Sequence, residues 1–366
     1  MSLISRSSPS FRDVLRCTRQ AVASVRQGVV YQMKINGNEY SDEVLAQGVT
    51  ADNAWEQDVF DFLREWFAPA ESVNVYTSGS TGKPKLLHAK KAQMLASARR
   101  TLDFFGLHGG MRAHLCLPVE YIAGKMMVVR AFAGNLELLV EKPSGAPEFG
   151  GVAVDFSALT PMQLRGAAES GSLENARCVL VGGGRVSSVI RHSVAALSCR
   201  VVESYGMTET LSHVALRPLS VDGSEPFCAM DGVSFSLDSR QCLVVHDRVA
   251  GDGRALVTND LAELVDTRSF HWRGRLDNII NSGGIKLPAE EIERKIENLL
   301  PDTRYFVAGE PDDLLGEQVV LYIEDAECRI TRADLCPVLS AYELPRRIKV
   351  GVRFENTGSG KIRRKK

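Results

Sequence analysis

Tyr76-Thr77-Ser78-Gly79-Ser80-Thr81-Gly82-Lys83-Pro84-Lys85 sets small hydroxyls, two glycines and two lysines between an apolar run at 73–77 and a helical pattern at 90–105. Glycines let backbone N–H groups approach a ligand closely, hydroxyls donate hydrogen bonds and lysines supply charge, so the composition suits a loop that wraps a polyphosphate. A Walker A loop does not fit. It needs four residues between its glycines and a Ser or Thr after its Lys, whereas Gly79 and Gly82 are closer and Pro84 follows Lys83. Pro84 brings no backbone N–H and disfavours helix at Lys83. Taken alone, the stretch also reads as an ordinary surface turn, and the rest of the chain has to decide.

The chain has 366 residues, enough for two domains and a sizeable core. Its net charge of −1 and 24% charged residues are those of an ordinary globular protein, with no signal for nucleic acid or an anionic membrane. No apolar run approaches the roughly 20 residues that span a bilayer, and residues 1–19 are Ser- and Arg-rich without a signal-peptide core. The eight cysteines are scattered without a C-x-x-C pair. They read as buried small hydrophobes in a reducing compartment, which points to the cytoplasm. The sequence does not fix an oligomeric state, and a homodimer stays open.

Along the chain, short β-rich runs alternate with helical ones. Strands are expected at 73–77, 112–117, 136–140, 151–156, 178–181 and 200–203, and helices at 90–105, 124–133 and 160–168. That alternation implies a largely parallel sheet covered on both faces. From Val233 the texture changes to short alternating strands at 233–237, 242–245, 255–257, 261–265 and 270–273, which predicts a smaller β subdomain. After Arg275 the pattern is α+β, with helices at 288–298 and 332–339, strands near 305–308 and 319–323, and a polar, basic tail at 356–366. The fold class is α/β: a large amino-terminal domain over 1–274 and a small α+β domain over 275–366.

Further segments keep the opening loop company. Gly182-Gly183-Gly184-Arg185 follows an apolar strand, where open α/β sheets bind ligands, although three glycines also make a plain turn. Glu203-Ser204-Tyr205-Gly206-Met207-Thr208-Glu209-Thr210 is more specific: an aromatic ring that can stack on a base, a hydroxyl that can meet a phosphate, and a hard carboxylate suited to Mg²⁺. Thr258-Asn259-Asp260 offers a carboxylate able to accept two ribose hydroxyls. Gly274-Arg275-Leu276-Asp277 and Asn281-Ser282-Gly283-Gly284 follow, and Gly358-Ser359-Gly360-Lys361 lies near the end. In this order the segments resemble the motifs of the acyl-adenylate-forming (ANL) superfamily of acyl-CoA synthetases, adenylation domains and luciferases. Asn259 stands where that family has Gly, and Asn tolerates the positive φ of such a turn.

The resemblance implies the ANL fold and two half-reactions: a carboxylate attacks Mg·ATP to give an acyl-adenylate and pyrophosphate, then a thiol takes the acyl group. It assigns ATP binding to Thr77, Ser78, Gly79, Ser80, Thr81, Gly82, Lys83, Lys85, Gly182, Gly183, Gly184, Tyr205, Gly206, Asp260 and Arg275. Thr208 and Glu209 join Lys361 as catalytic residues, with Glu209 on Mg²⁺. Asp277 becomes the hinge of a mobile carboxyl-terminal domain, and Gly284 lies beside the tunnel for CoA.

The opening loop begins early compared with most of the family. This compactness and the segment 117–127 resemble the branch that ligates CoA to o-succinylbenzoate in menaquinone biosynthesis, with Tyr121 where that branch has His. A dicarboxylic acid needs a cation for the carboxylate that is not activated. Lys125, on an otherwise apolar helix, is the first candidate, with Arg130, His213 and Arg217 behind it; Lys125 equally reads as a side chain reaching out to solvent. A CoA ligase for another aromatic or short acid, an adenylation domain that loads a carrier protein and a non-catalytic nucleotide-binding homologue remain as alternatives.

Overall fold

A computed structural model describes residues 32–76, 85–250, 253–301, 303–355, 362 and 364. The expectations for Thr77 through Lys83, and for Lys361, lie outside these residues.

A 13-stranded sheet forms the body of the molecule. Its parallel centre runs through Glu137–Val140, Arg112–Leu115, Val154–Leu159, Ala176–Val181 and Arg200–Gly206. The middle strands are buried over almost their whole length, as strands covered on both faces must be. Helices Ala54–Phe67, Lys91–Phe105 and Ile122–Gly134 contribute to the larger buried cluster. Helices Pro161–Glu169 and Ser188–Val194 contribute to a second. The start of Pro161–Glu169 follows from its sequence. Thr160 accepts from Gln163 N–H, Gln163 reaches back to Thr160 N–H, and proline takes the first helical position.

The expected β subdomain is not a separate sheet. His213–Pro218, Phe227–Ala229, Ser269–Arg275, Leu256–Asp266, Cys242–Asp247 and Val233–Leu237 continue the same sheet in antiparallel pairing. The runs at 255–257 and 261–265 are one strand, Leu256–Asp266, whose pairing shifts register beside Asp260. Asn259 is an ordinary strand residue there and does not need the positive φ expected of it.

The opening loop is also framed differently. It joins two antiparallel strands, Ser72–Tyr76 and Leu86–Lys90, and the helix starts only after the second. From Ile279 onward the chain builds a five-stranded sheet, with helix Ala289–Ile296 and its own buried cluster. The helix expected at 332–339 is the single turn Arg332–Leu335, because Pro337 disfavours helix at Cys336. Cys116, Cys178, Cys199 and Cys242 are buried as expected, but Cys228 and Cys336 are exposed. No helix among the described residues is long and apolar enough to cross a membrane.

Candidate active site

The sheet delivers the motif residues to one end. Val181 closes its strand and Gly182-Gly183-Gly184 turns away from the carboxyl end. A Cβ on Gly182 would stand 2.4 Å from Ser204 Oγ, and Gly183 has φ +80°, so neither position accepts a side chain without cost. The neighbouring parallel strand ends at Gly206, where a Cβ would meet the Ser212 carbonyl at 2.3 Å. The following turn is tied by Thr210, whose hydroxyl accepts from Met207 N–H (2.9 Å) and donates to the Ser212 carbonyl (2.7 Å). Thr208 is half-buried and Glu209 is exposed on that turn. A lone exposed carboxylate suits Mg²⁺ that arrives on nucleotide phosphates and keeps most of its own waters. No cluster of three potential metal ligands exists among the described residues.

Asp260 collects three donors from two other strands, Arg200–Gly206 and Ser269–Arg275. Tyr205 O–H donates at 2.7 Å, Trp272 Nε1–H donates at 3.3 Å, and the Arg275 guanidinium lies at 3.6 Å, opposite it in the ladder. Burial, with the Asp260 charge beside it, pushes the Tyr205 phenol well above its ordinary range, so it stays a donor. Burial works against the Arg275 charge, yet Asp260 and Asp277 outweigh it. Arg275 also reaches Asp277 at 3.1 Å, and Asn259 donates to the Asp277 carboxylate at 3.4 Å. Tyr205, Asp260, Arg275 and Asp277 thus form one connected line. Sequence reasoning missed Trp272 and Asn259 as members, and no local pattern marks either.

A second cluster lies behind the Met207–Ser212 turn. Arg130, 2% exposed, donates to Thr101 Oγ1 (3.2 Å) and Ser212 Oγ (2.5 Å) and touches Met127 Sδ (3.6 Å). None of its partners among the described residues is a carboxylate. Burial pushes its guanidinium down to about 9, which still leaves it charged at neutral pH. Buried His213 bridges the same two hydroxyls, Thr101 at Nε2 and Ser212 at Nδ1, each at 3.2 Å. Burial first, then the Arg130 and Arg100 charges, hold His213 well below its usual range and therefore neutral.

Lys125 is elsewhere: it is buried, 4.4 Å from the centre of the Phe62 ring and 3.9 Å from Glu65. Arg217 pairs with Glu203 at 2.7 Å and covers Phe227. Gly284 sits with Gly283 in the two-residue turn between Ile279–Ser282 and Ile285–Pro288, with φ +81° and +60°. A hairpin turn of two positive φ angles already accounts for both glycines, and nothing lies within 4 Å of a Cβ on Gly284. Lys85 is exposed at the end of the opening loop.

The part of the chain from Ile279 onward also touches the loop after the three-glycine turn and helix Ser188–Val194. Glu297 takes a hydrogen bond from Ser188 N–H, an ion pair with Arg185 at 2.6 Å and another with Arg191 at 3.5 Å. Arg185 directly follows the three-glycine turn, a contact that the sequence did not announce.

A family model described as AMP-binding enzyme matches residues 21–234, more than half of the chain. The 2-succinylbenzoate–CoA ligase of Listeria monocytogenes is 25% identical over 335 residues, which cover 83% of this chain and 71% of that protein. A solved acyl-CoA synthetase (AMP-forming)/AMP-acid ligase II-like protein from Dyadobacter fermentans is 34% identical, with a TM-score of 0.61 over 91% of this chain and 97% of that one. The O-succinylbenzoate coenzyme A synthetase of Bacillus subtilis, solved with ATP and a magnesium ion, reaches a TM-score of 0.71 at 20% identity, over 80% of this chain and 68% of that one. At that identity the likeness is one of fold.

Proposed function

The chain belongs to the AMP-binding enzyme family and is an AMP-forming acyl-CoA ligase; from that premise we propose that the acid it activates is o-succinylbenzoate. The reaction would convert o-succinylbenzoate, ATP and CoA into o-succinylbenzoyl-CoA, AMP and pyrophosphate.

The observation that carries the choice of acid is Arg130. A buried guanidinium without a carboxylate partner is costly, and a dicarboxylic substrate brings the missing anion on the group that is not activated. Lys125 was the more obvious cation in the sequence, but Glu65 and the Phe62 ring already occupy it. Arg130 is therefore the better anchor, with neutral His213 and Ser212 orienting it. The 25% identity to a 2-succinylbenzoate–CoA ligase supports the same acid.

In this reading Asp260 holds the ribose hydroxyls with Tyr205 and Arg275, and the glycines at 182–184 lie against the adenine. Glu209 meets the Mg²⁺ carried by ATP, Thr208 meets the α-phosphate, and the 77–85 loop holds the departing phosphates. Lys361 neutralises charge as the acyl–phosphate bond forms. Asp277 is the hinge between domains 1–274 and 275–366.

A coupled assay with ATP, Mg²⁺ and CoA tests the acid. AMP release should be fastest with o-succinylbenzoate and at least tenfold slower with benzoate or fatty acids. Equal rates with benzoate would remove the argument from Arg130. Activity with a phosphopantetheinylated carrier protein but not with CoA would favour the carrier-loading reading. Gly284→Leu should leave pyrophosphate exchange largely intact and depress thioester formation, whereas equal loss of both would assign Gly284 to its turn alone.

A further inference from the structure

Helix Ala289–Ile296 places two carboxylates, Glu290 and Glu293, one turn apart, and both are buried. The cation that meets them is Arg364, from the far end of the chain. Its guanidinium bonds Glu293 Oε2 at 2.7 Å, lies 3.7 Å from Glu290 and donates to the Val307 carbonyl at 3.2 Å. Glu293 also accepts from Val307 N–H at 2.7 Å. Both backbone groups of Val307, on the edge strand Tyr305–Asp312, are thus closed by this pair. Buried carboxylates are tolerated only when paired, so the two glutamates pull the tail onto the helix.

Glu290 has a second set of partners. It accepts from Asn278 Nδ2 and, at 3.4 Å, from Arg275 N–H, and its side chain fills the space beside Gly274, where a Cβ would meet it at 2.7 Å. One carboxylate therefore holds both the tail and the 274–278 segment. Lys361 stands three residues before Arg364, so the chain can carry it no more than roughly 11 Å from that anchor.

We propose that Arg364 is a positioning residue for adenylation: seated on Glu293 and Glu290, it fixes the tail from which Lys361 reaches the acyl–phosphate bond. This rests on the reading of Lys361 as the adenylation lysine. Of the bonds to Glu290, the one from Arg275 N–H crosses Asp277, whereas Arg364, Glu290 and Glu293 all follow Asp277 and travel together as the chain turns there.

The test separates the half-reactions in the full-length enzyme. Arg364→Met should lower kcat for acid-dependent ATP–pyrophosphate exchange by about ten- to a hundredfold, the scale of a catalytic group displaced by about an ångström. The KM for ATP and thioester formation from supplied acyl-adenylate should stay within about threefold, within the scatter of such small shifts. Arg364→Lys should recover part of the exchange rate. Trypsin should remove the last residues faster from Arg364→Met than from the parent, by intact mass.

Equal loss in both half-reactions, or wild-type exchange in Arg364→Met beside a dead Lys361→Ala, overturns the proposal. Full exchange in Lys361→Ala would instead show that the underlying reading of that lysine is at fault, and the positioning role falls with it.

Discussion

Arg130→Met should cost the enzyme its dicarboxylic substrate and cost the fold almost nothing. Truncating one partner of a buried, hydrogen-bonded charge pair costs about 2–5 kcal/mol, on the order of 30- to several-thousand-fold in kcat/KM. The loss should appear with o-succinylbenzoate and be absent with benzoate, which has no second carboxylate to offer. Stability should move the other way. In the free enzyme the guanidinium is buried with no carboxylate partner among the described residues, and an apolar side chain of similar length relieves that desolvation. Thr101 and Ser212 keep His213 as a partner after the change. The melting temperature should therefore hold or rise. A variant that unfolds, or that loses benzoate and o-succinylbenzoate activity alike, would make Arg130 a structural cation. Arg130→Lys separates charge from shape: a lysine keeps the charge but cannot reach Thr101 and Ser212 with a planar fork, so partial recovery is expected.

Arg130 also shows where sequence reading reaches its limit. Its place on an apolar helix was visible, and so was its candidacy beside Lys125 and His213. Which cation lacks a carboxylate was not, because the answer depends on Ser212, 82 residues away, and on Glu65 lying against Lys125 instead. The parallel half of the sheet was readable because each strand is a short apolar run ended by a turn, as at 178–184. The strand Leu256–Asp266 was split in reading because Asn259 and Asp260 are poor strand formers, and tertiary pairing with Ser269–Arg275 overrides that preference. The helix expected at 332–339 fails for a local reason, Pro337, that was in plain view.

The carboxylates at 290, 293 and 297 recur at i, i+3 and i+7 and stripe one face of a helix. That stripe was readable, but its partners Arg364, Arg275, Asn278, Arg185 and Arg191 lie up to 112 residues away from it in the chain. Motif order was legible at the level of chemistry. The connections between motifs were not.

Asp260→Asn should lower kcat/KM for ATP by about 1.5–3 kcal/mol, the worth of hydrogen bonds to a charged group, on the order of ten- to a hundredfold. Asn keeps the shape, so Tyr205 O–H retains an acceptor and Arg275 retains Asp277. What it loses is the charge that draws Tyr205, Trp272 and Arg275 to one point, and the capacity to accept both ribose hydroxyls. A nucleotide cycle isolates that second term. With 2′,3′-dideoxy-ATP the parent enzyme should fall close to the variant, and the variant should fall little further. If Asp260→Asn costs the same factor with both nucleotides, its carboxylate serves only to gather Tyr205, Trp272 and Arg275. The ribose would then be held elsewhere, and the line from Tyr205 to Asp277 would be a strut from the 13-stranded sheet to the turn Leu276–Asn278.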